Sequence, residues 1–433
     1  MMISTNLFSP KLLNSKLGLI KEVTQWLPEY DDPRICVVAA LVSNVEHLGL
    51  PKIGSTLNSG AGTDFKSALG AAVGESLERY CAALIPDNLT LCSFKNLNKI
   101  AVHPSKFQFY SDSQYASENF PFKKFLETSN IAWTEAAEIV SGIETYVPAA
   151  TVYLPYFVRQ KNESNIWAPV SSGLSCAPSP DAAVLSGLFE VIERDAFMLF
   201  WLLGRKTRVL DWQSSTRLSN FISLYFRHSI QYIQLLNITT DINVPTILGV
   251  YNKPGEGLLV AAASRATYED AAEKTLLELA QGRITWRKTF ENAAKLDTSI
   301  PSYDSIRTFE DHVGLFTNPK MINKVPYLFP KQSISITELQ SSIDSHLNTA
   351  FDLAKHLKDA GYDSYCINLT QYEVAATNNC VYRSLIPGLL EISNDHVWQR
   401  LGSNRISRFY NTRCSEEFTY TPDCLNPIPH PFP

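Results

Sequence analysis

Three segments of this chain repeat one arrangement: an alanine, a carboxylate seven residues later, and a second carboxylate or its amide three residues beyond that. They run from Ala68 to Arg79 with Glu75 and Glu78, from Ala183 to Arg194 with Glu190 and Glu193, and from Ala271 to Gln281 with Glu278 and Gln281. Small and apolar residues fall at helical spacing around each pair. The pattern predicts three helices, each projecting its acids from a mostly apolar stripe. Burying bare carboxylates that way is costly unless cations meet them. Convergence of the three helices would gather Glu75, Glu78, Glu190, Glu193 and Glu278 into a cage suited to hard divalent ions such as Mg²⁺ rather than to packing. Metal-bound phosphate is the ligand such a cage implies.

At 433 residues the chain can bury a large core. Its 38 basic and 43 acidic residues give a net charge of −5 without a basic block, so neither nucleic acid nor an anionic membrane is expected as a partner. The start, Met-Met-Ile-Ser-Thr-Asn, lacks the basic and apolar regions of a signal peptide, and no stretch approaches the roughly 18 apolar residues of a membrane span. A soluble, cytoplasmic protein is expected. The eight cysteines show no Cys-x-x-Cys spacing and the eight histidines no ligand spacing. Reduced, mostly buried thiols are therefore expected, with neither a zinc clip nor a disulfide framework.

Strand-like runs at Ile35–Val42, Tyr146–Tyr153, Thr246–Tyr251 and Leu258–Ala262 precede the acidic helices. Glycine-bearing linkers, Asn58–Gly62 and Ser171–Ser175, lead into the first two helices, as an approach to phosphate requires. A further amphipathic helix is predicted over Glu338–His356, with Leu339, Ile343, Leu347, Phe351 and Ala354 on one face. Residues 290–335, carrying Pro301, Pro319, Pro326 and Pro330, read as surface connection. These features describe a single α+β unit over residues 1–425, closed by a proline-rich tail at 426–433. Alternating proline from Pro427 to Pro433 fixes an extended tail with little entropy left to lose. Composition alone favours a disordered stub. A ligand for a proline-reading domain and a strut entering the protein's own active site are the competing readings.

At these residues the sequence resembles the YcaO superfamily, in particular the azoline-forming cyclodehydratases that modify ribosomally made peptides. The likeness covers most of the chain. It rests on Gly74-Glu-Ser-Leu-Glu-Arg79, on Ser172-Gly173 through Glu190-Val-Ile-Glu-Arg-Asp-Ala196, and on Glu278-Leu-Ala-Gln281. It continues in Leu385-Ile-Pro-Gly-Leu389, Arg400-Leu-Gly402, Arg405 and the proline repeat. The resemblance implies a YcaO-type α+β fold whose three acidic helices converge on an ATP and Mg²⁺ site. Glu75, Glu78, Glu190, Glu193 and Glu278 then correspond to the magnesium and nucleotide cage, and Gln281 to a polar partner within it. Arg79 and Arg194 then correspond to the cations facing phosphate, with an intrahelical salt bridge to a nearby glutamate as the alternative reading of either. Ser172 stands where many relatives carry asparagine, and Ser15 and Lys16 correspond to N-terminal nucleotide contacts, with Lys16 equally readable as a solvated charge.

The implied reaction is ATP-dependent cyclodehydration. A Cys, Ser or Thr side chain of a precursor peptide attacks the preceding amide carbonyl, and phosphorylation of the amide oxygen lets it leave, giving a thiazoline or oxazoline. No histidine or cysteine is placed as an obvious base. In azoline-forming relatives the proline-rich end reaches the active site, so Pro429, His430, Pro431 and the Pro433 carboxylate are candidates for organising proton transfer, with His430 expected to titrate near neutral pH. The acidic motif begins by residue 68, which leaves no room ahead of it for a fused leader-binding domain. A separate ThiF/E1-like partner is expected, with a flavin-dependent azoline dehydrogenase and homodimerisation. The alternatives are thioamide or amidine formation, and a non-catalytic ATP-binding scaffold. The retained acids argue against the scaffold.

Overall fold

Each acidic segment is a helix, and each helix lies on a different sheet. They are α1 (Phe65–Ala83), α2 (Pro180–Leu202) and α3 (Tyr268–Thr285). All three begin at side-chain caps: Asp64 accepts from the Ser67 N–H, Ser179 from Ala182 and Thr267 from Asp270. The structure is a computed structural model describing residues 12–16, 18–43, 56–107, 110–158, 161–287, 302–340, 346–413 and 424–433.

The first sheet is antiparallel, β1 (Ile20–Trp26), β2 (Cys36–Val42) and β3 (Leu57–Gly62), in that order. The second comprises β4 (Thr90–Ser93), β5 (Asn130–Glu138), β6 (Glu144–Pro148), β7 (Leu174–Ala177), β13 (Tyr365–Asn368) and β14 (Cys380–Leu385). Its order is β4-β5-β13-β14-β7, with β6 on β5. The third holds β8 (Val209–Asp211), β9 (Ile233–Asn237), β10 (Thr246–Lys253), β11 (Gly257–Ser264) and β12 (Ser333–Ser335), in the order β11-β10-β9-β8-β12. Helix α1 packs on the first sheet, α2 on β14 and β7, and α3 on β10 and β11. This α+β arrangement matches the fold expected from the sequence.

Two of these contacts are nearly backbone to backbone. A Cβ at Gly60 on β3 would lie 2.3 Å from the Ala72 nitrogen of α1, and one at Gly187 on α2 would lie 2.7 Å from the Gly173 oxygen. The Asn58–Gly62 stretch is accordingly strand β3 and not a phosphate loop. Its glycine makes room for the helix. On α3, the Thr275 hydroxyl donates to the Ile247 carbonyl of β10 across the same kind of seam, at 3.1 Å.

Four other expectations are corrected. The run Tyr146–Tyr153 is strand only to Pro148, after which Ala149–Thr151 forms a 3₁₀ turn, because proline offers no N–H to extend the ladder. The helix expected over Glu338–His356 is two pieces, Ile336–Gln340 and Ala350–Asp359, the second started afresh by Thr349, whose hydroxyl accepts from Asp352. Ile343 lies outside the described residues, and Phe351 is 50% exposed where the amphipathic reading had it packed. Within 290–335 the segment 302–335 contributes to the core: Leu315, Phe316, Met321, Val325 and Leu328 are buried against the C-terminal half of α2 and the tail. Of the seven described cysteines, all free, only Cys81 is fully buried. No helix among the described residues is long and apolar enough to cross a membrane.

Candidate active site

The acids of α1 and α2 meet where β7 and β14 run between the two helices. Glu78 turns toward β7, where its Oε1 accepts from the Cys176 backbone N–H at 2.8 Å. Desolvation raises its proton affinity well above the usual carboxylate range, and the charges of Glu190 and Glu75 add to the rise. Desolvation also pushes Glu190 up, against the opposing pull of Arg194, Arg79 and Arg383. Glu193 is raised well above its usual range by desolvation, with Glu278 and Glu190 adding repulsion that Arg194 only partly offsets. The four acids Glu78, Glu190, Glu193 and Glu278 thus share one field.

Glu190 retains 26% of its side-chain surface, yet protein surrounds it deeply enough for desolvation to dominate its ionisation. Glu190 is thus partly open to solvent while crowded by protein and by neighbouring charges. Arg79 stands 3.6 Å from Glu75, and Arg194 stands 3.7 Å from Glu190 and 3.4 Å from Glu193. Both arginines therefore make intrahelical pairs, the alternative to phosphate contact, and both act on Glu190. Lys274 pairs with Glu278 at 3.2 Å.

Gln281 faces a strand rather than the acids: its Nε2 donates to the Ser59 carbonyl at 3.0 Å and lies 3.1 Å from the Ser59 hydroxyl. Ser15 and Lys16 are exposed in a turn before β1, where the Lys16 N–H donates to Asn14. No described hydrogen bond or ion pair joins either to the acidic cluster. Ser172 is 2% exposed, and its hydroxyl has no hydrogen-bond partner.

Arg383 on β14 escaped the sequence reading. It is 1% exposed, donates from Nη2 to the Val170 carbonyl at 2.8 Å, and leaves Nε and Nη1 without partners. Burial lowers its pKa to about 9, with Glu190 pulling the other way and Arg400 and Arg79 reinforcing the fall. It remains charged at neutral pH. A lone arginine in the apolar strand between Val381 and Leu385 was the available signal.

The tail enters the same neighbourhood. Residues Pro429 to Phe432 are buried, which corrects the disordered stub favoured by composition. Trp201 Nε1 donates to the Ile428 carbonyl at 2.8 Å, and the Asn426 N–H donates to Leu202 at 2.8 Å. The Phe432 ring packs on Phe197, 4.8 Å between centroids, and under the Arg194 guanidinium at 4.3 Å. The tail therefore caps an arginine that pairs with two of the acids.

His430 is completely buried, stacked on His312 with centroids 3.9 Å apart, and its Nε2 donates to the Ser393 carbonyl at 3.0 Å. Desolvation, then repulsion from His312, pushes its pKa well below 6.5, and burial brings His312 down to about 4. The expected titration near neutral pH is not met. These rings favour docking while neutral. As pH falls from 6.5 the undocked tail takes up protons first, so docking weakens progressively toward pH 4. The Trp201 indole N–H resonance should report this as loss of its bonded position on acidification, and a resonance unmoved down to pH 4 would contradict it.

Among the described residues, no three His, Cys, Asp or Glu side chains come close enough to close on one ion by themselves. The five acids are thus not a ready-made protein cage. Mg²⁺ ordinarily takes one or two carboxylates, several waters and phosphate oxygens, and the arrangement fits that division. The unpartnered donors of Arg383 and Ser172, and Arg194 Nε, which makes no hydrogen bond, supply what phosphate oxygens require.

Enclosed acids beside unsatisfied guanidinium donors make the kind of site that takes a metal-bound phosphate. A family model described as YcaO cyclodehydratase, ATP- and Mg²⁺-binding, matches residues 59–390. The chain belongs to the YcaO family, and ATP and Mg²⁺ are its cofactors. Three solved structures share the fold. A heterocyclase in complex with substrate and cofactor is 18% identical at a TM-score of 0.78, covering 99% of this chain and 57% of that one. This chain therefore spans little more than half of that heterocyclase. YcaO from Methanopyrus kandleri bound with AMPPCP and Mg²⁺ is 17% identical at a TM-score of 0.60, covering 88% of each chain. The E. coli microcin synthetase McbBCD complex with pro-MccB17 bound is 16% identical at a TM-score of 0.59, covering 91% of this chain and 94% of that one.

Proposed function

We propose that this protein converts Cys, Ser or Thr residues of a ribosomally made precursor peptide to thiazolines or oxazolines by ATP-dependent cyclodehydration. The observation carrying this reading is the clustering of acids from separate helices within one field, beside unpaired Arg383 donors and with the tail seated on Arg194. When bound, Mg-ATP supplies the phosphoryl group that makes the amide oxygen a leaving group. Glu75, Glu78, Glu190, Glu193 and Glu278 provide the carboxylates for Mg²⁺. Arg194, Arg383 and the Ser172 hydroxyl hold phosphate oxygens and neutralise charge on the transferring group. Arg79 pairs with Glu75 and partly offsets the burial of Glu78 and Glu190, and Gln281 fixes the edge of β3.

The side chain of the substrate attacks the preceding carbonyl and loses its proton, which closes the ring as a tetrahedral adduct. The adduct's oxygen would take the γ-phosphoryl group, leaving ADP, and then depart as phosphate while the nitrogen gives up its hydrogen and a C=N bond forms, so each ring costs the peptide the elements of one water. Pro429, Pro431 and the buried His430 hold Phe432 and Pro433 in place beside Arg194, and we assign this segment the role of organising proton transfer at the reacting group.

The E. coli complex with its bound pro-peptide supports a multiprotein setting. We assign a ThiF/E1-like leader-binding partner, a flavin-dependent azoline dehydrogenase acting afterwards, and a homodimer within the assembly. Mass spectrometry of a Cys- or Ser-rich precursor incubated with this protein, its leader-binding partner and Mg-ATP tests the reading. Loss of one water per ring is expected. Exchange of oxygen for sulfur would move the chain to thioamide formation, and nucleotide binding without any mass change would return it to a scaffold.

Arg383→Met should weaken Mg-AMPPCP binding by about 10- to 100-fold while leaving the thermal transition intact, because a buried cation without a carboxylate pair is removed with it. Calorimetric titration reads this directly. Unchanged affinity would take Arg383 out of the nucleotide site.

A further inference from the structure

Arg194 is shared between the acidic cluster and the tail. It lies 3.7 Å from Glu190 and 3.4 Å from Glu193, and its guanidinium carbon stands 4.3 Å from the centroid of the Phe432 ring. Phe432 packs edge-on against Phe197, which lies about one helical turn beyond Arg194 on α2. The next supports of the tail, Trp201 and Leu202, belong to the same helix: the Trp201 indole donates to the Ile428 carbonyl, and the Leu202 carbonyl accepts from the Asn426 N–H. One unbroken helix therefore carries two of the acids, the arginine between them and the tail, and three of the tail's supports.

The ion pairs of Arg194 are loose. A guanidinium that closes on a carboxylate does so through hydrogen bonds of about 2.7–2.9 Å, and a glutamate four residues before an arginine on a helix is within its reach. Neither carboxylate is met at that distance, and the buried Nε of Arg194 has no hydrogen-bond partner. The ring supplies what the carboxylates do not. A cation over an aromatic face is held by the ring's quadrupole and spends no N–H on it. Phe432 thus fixes the guanidinium while the Nε donor stays open.

An unsatisfied buried donor opposes folding, and a closer pair with Glu190 would relieve it. The ring stands against that relief. Phe432 is 4% exposed, so it cannot leave the guanidinium without bringing its own apolar surface into water. Arg194 is held open by a residue that the tail has to deliver.

We propose that Phe432 is a positioning residue: seated on Arg194, it keeps the guanidinium available to a phosphate oxygen, so that the docked tail and Mg-nucleotide bind cooperatively. The inference rests on the nucleotide reading above. With Glu190 and Glu193 turned to a metal, Arg194 loses both carboxylates and retains the ring, which strengthens docking. Linkage makes the effect reciprocal, so a docked tail raises nucleotide affinity by the same factor. The strength of a cation–π contact sets that factor at about three- to tenfold. Tail and nucleotide then complete one site together.

The test is calorimetric titration of the full chain with Mg-AMPPCP, repeated on Phe432→Leu, Arg194→Gln and the double variant. Phe432→Leu should bind about three- to tenfold more weakly than the parent protein, and in the Arg194→Gln background the same change should cost nothing further. Hydrogen exchange at the Trp201 indole N–H, which is bonded to the tail, reads the reciprocal effect. Saturating Mg-AMPPCP should slow it in the parent protein by about three- to tenfold more than in Phe432→Leu. Phe432→Leu binding as the parent does, or an equal loss in both backgrounds, would overturn the proposal. Tighter binding by Phe432→Leu would make the ring a competitor of phosphate and would overturn it as well. A parent protein that does not bind Mg-AMPPCP would instead overturn the nucleotide reading, and the coupling with it.

Discussion

Replacing Glu193 by glutamine will abolish productive Mg-nucleotide binding and will stabilise the nucleotide-free protein. Glu193 is 6% exposed at its side chain, and its ionised form is opposed by desolvation and by Glu278 and Glu190. Its proton affinity is higher folded than unfolded. The carboxyl therefore favours folding fully below its unfolded value of 4.5, and this contribution is lost as pH rises beyond it. Glutamine keeps the shape and removes the charge. The expected gain at neutral pH is on the order of 1–4 kcal/mol, shrinking as the pH is lowered toward 4.5. Activity should fall by at least ~10³-fold, since a ligand of the transferring group's counterion is lost. Denaturant melts at several pH values, paired with Mg-AMPPCP titration, separate the two effects. A variant that binds nucleotide normally would remove Glu193 from the site, and one that is destabilised would show that its pairing with Arg194 outweighs its burial. Such an exchange of stability for function is the expected behaviour of a site assembled from like charges.

The second large effect concerns the tail. Deleting Phe432 and Pro433 should lower cyclisation by more than about 100-fold while leaving the protein folded. Phe432 is 4% exposed and fills the space between Phe197 and the Arg194 guanidinium. Removing a buried phenylalanine costs about 3–5 kcal/mol, but the anchors upstream, from Trp201 to Ile428 and from His430 to Ser393, stay in place. Phe432→Leu is the informative companion. It preserves most of the apolar burial and loses the cation–π contact, so activity should drop only several-fold. Full cyclisation by the deletion variant, measured by mass spectrometry, would show that the tail is a strut without a part in the reaction.

The acidic helices were legible because period and charge coincide there: Glu190 and Glu193 stand three residues apart on one face of a 23-residue helix that is mostly apolar. The tail was legible as extended chain, but its destination was not, since proline spacing says nothing about what Phe432 meets. Arg383 was missed because a strand alternates too quickly for one cation to form a pattern, and its ligand donors are defined only by what β14 lacks nearby. The Glu338–His356 reading failed for the opposite reason. A good helical period ran through Thr349, whose hydroxyl prefers to start a helix rather than continue one. Gln281 fits the helical repeat but turns toward Ser59, a choice fixed by how α3 meets β3.

The bare contacts beneath α1 and α2 bear on what such a protein tolerates. Gly60 against Ala72 and Gly187 against Gly173 leave no slack between helix and strand, so the acids are held by main-chain contact rather than by adjustable side chains. A single added methyl group at position 187 would press on the Gly173 carbonyl and the Ser384 side chain, so the helix that carries Glu190 and Glu193 could not keep its seat.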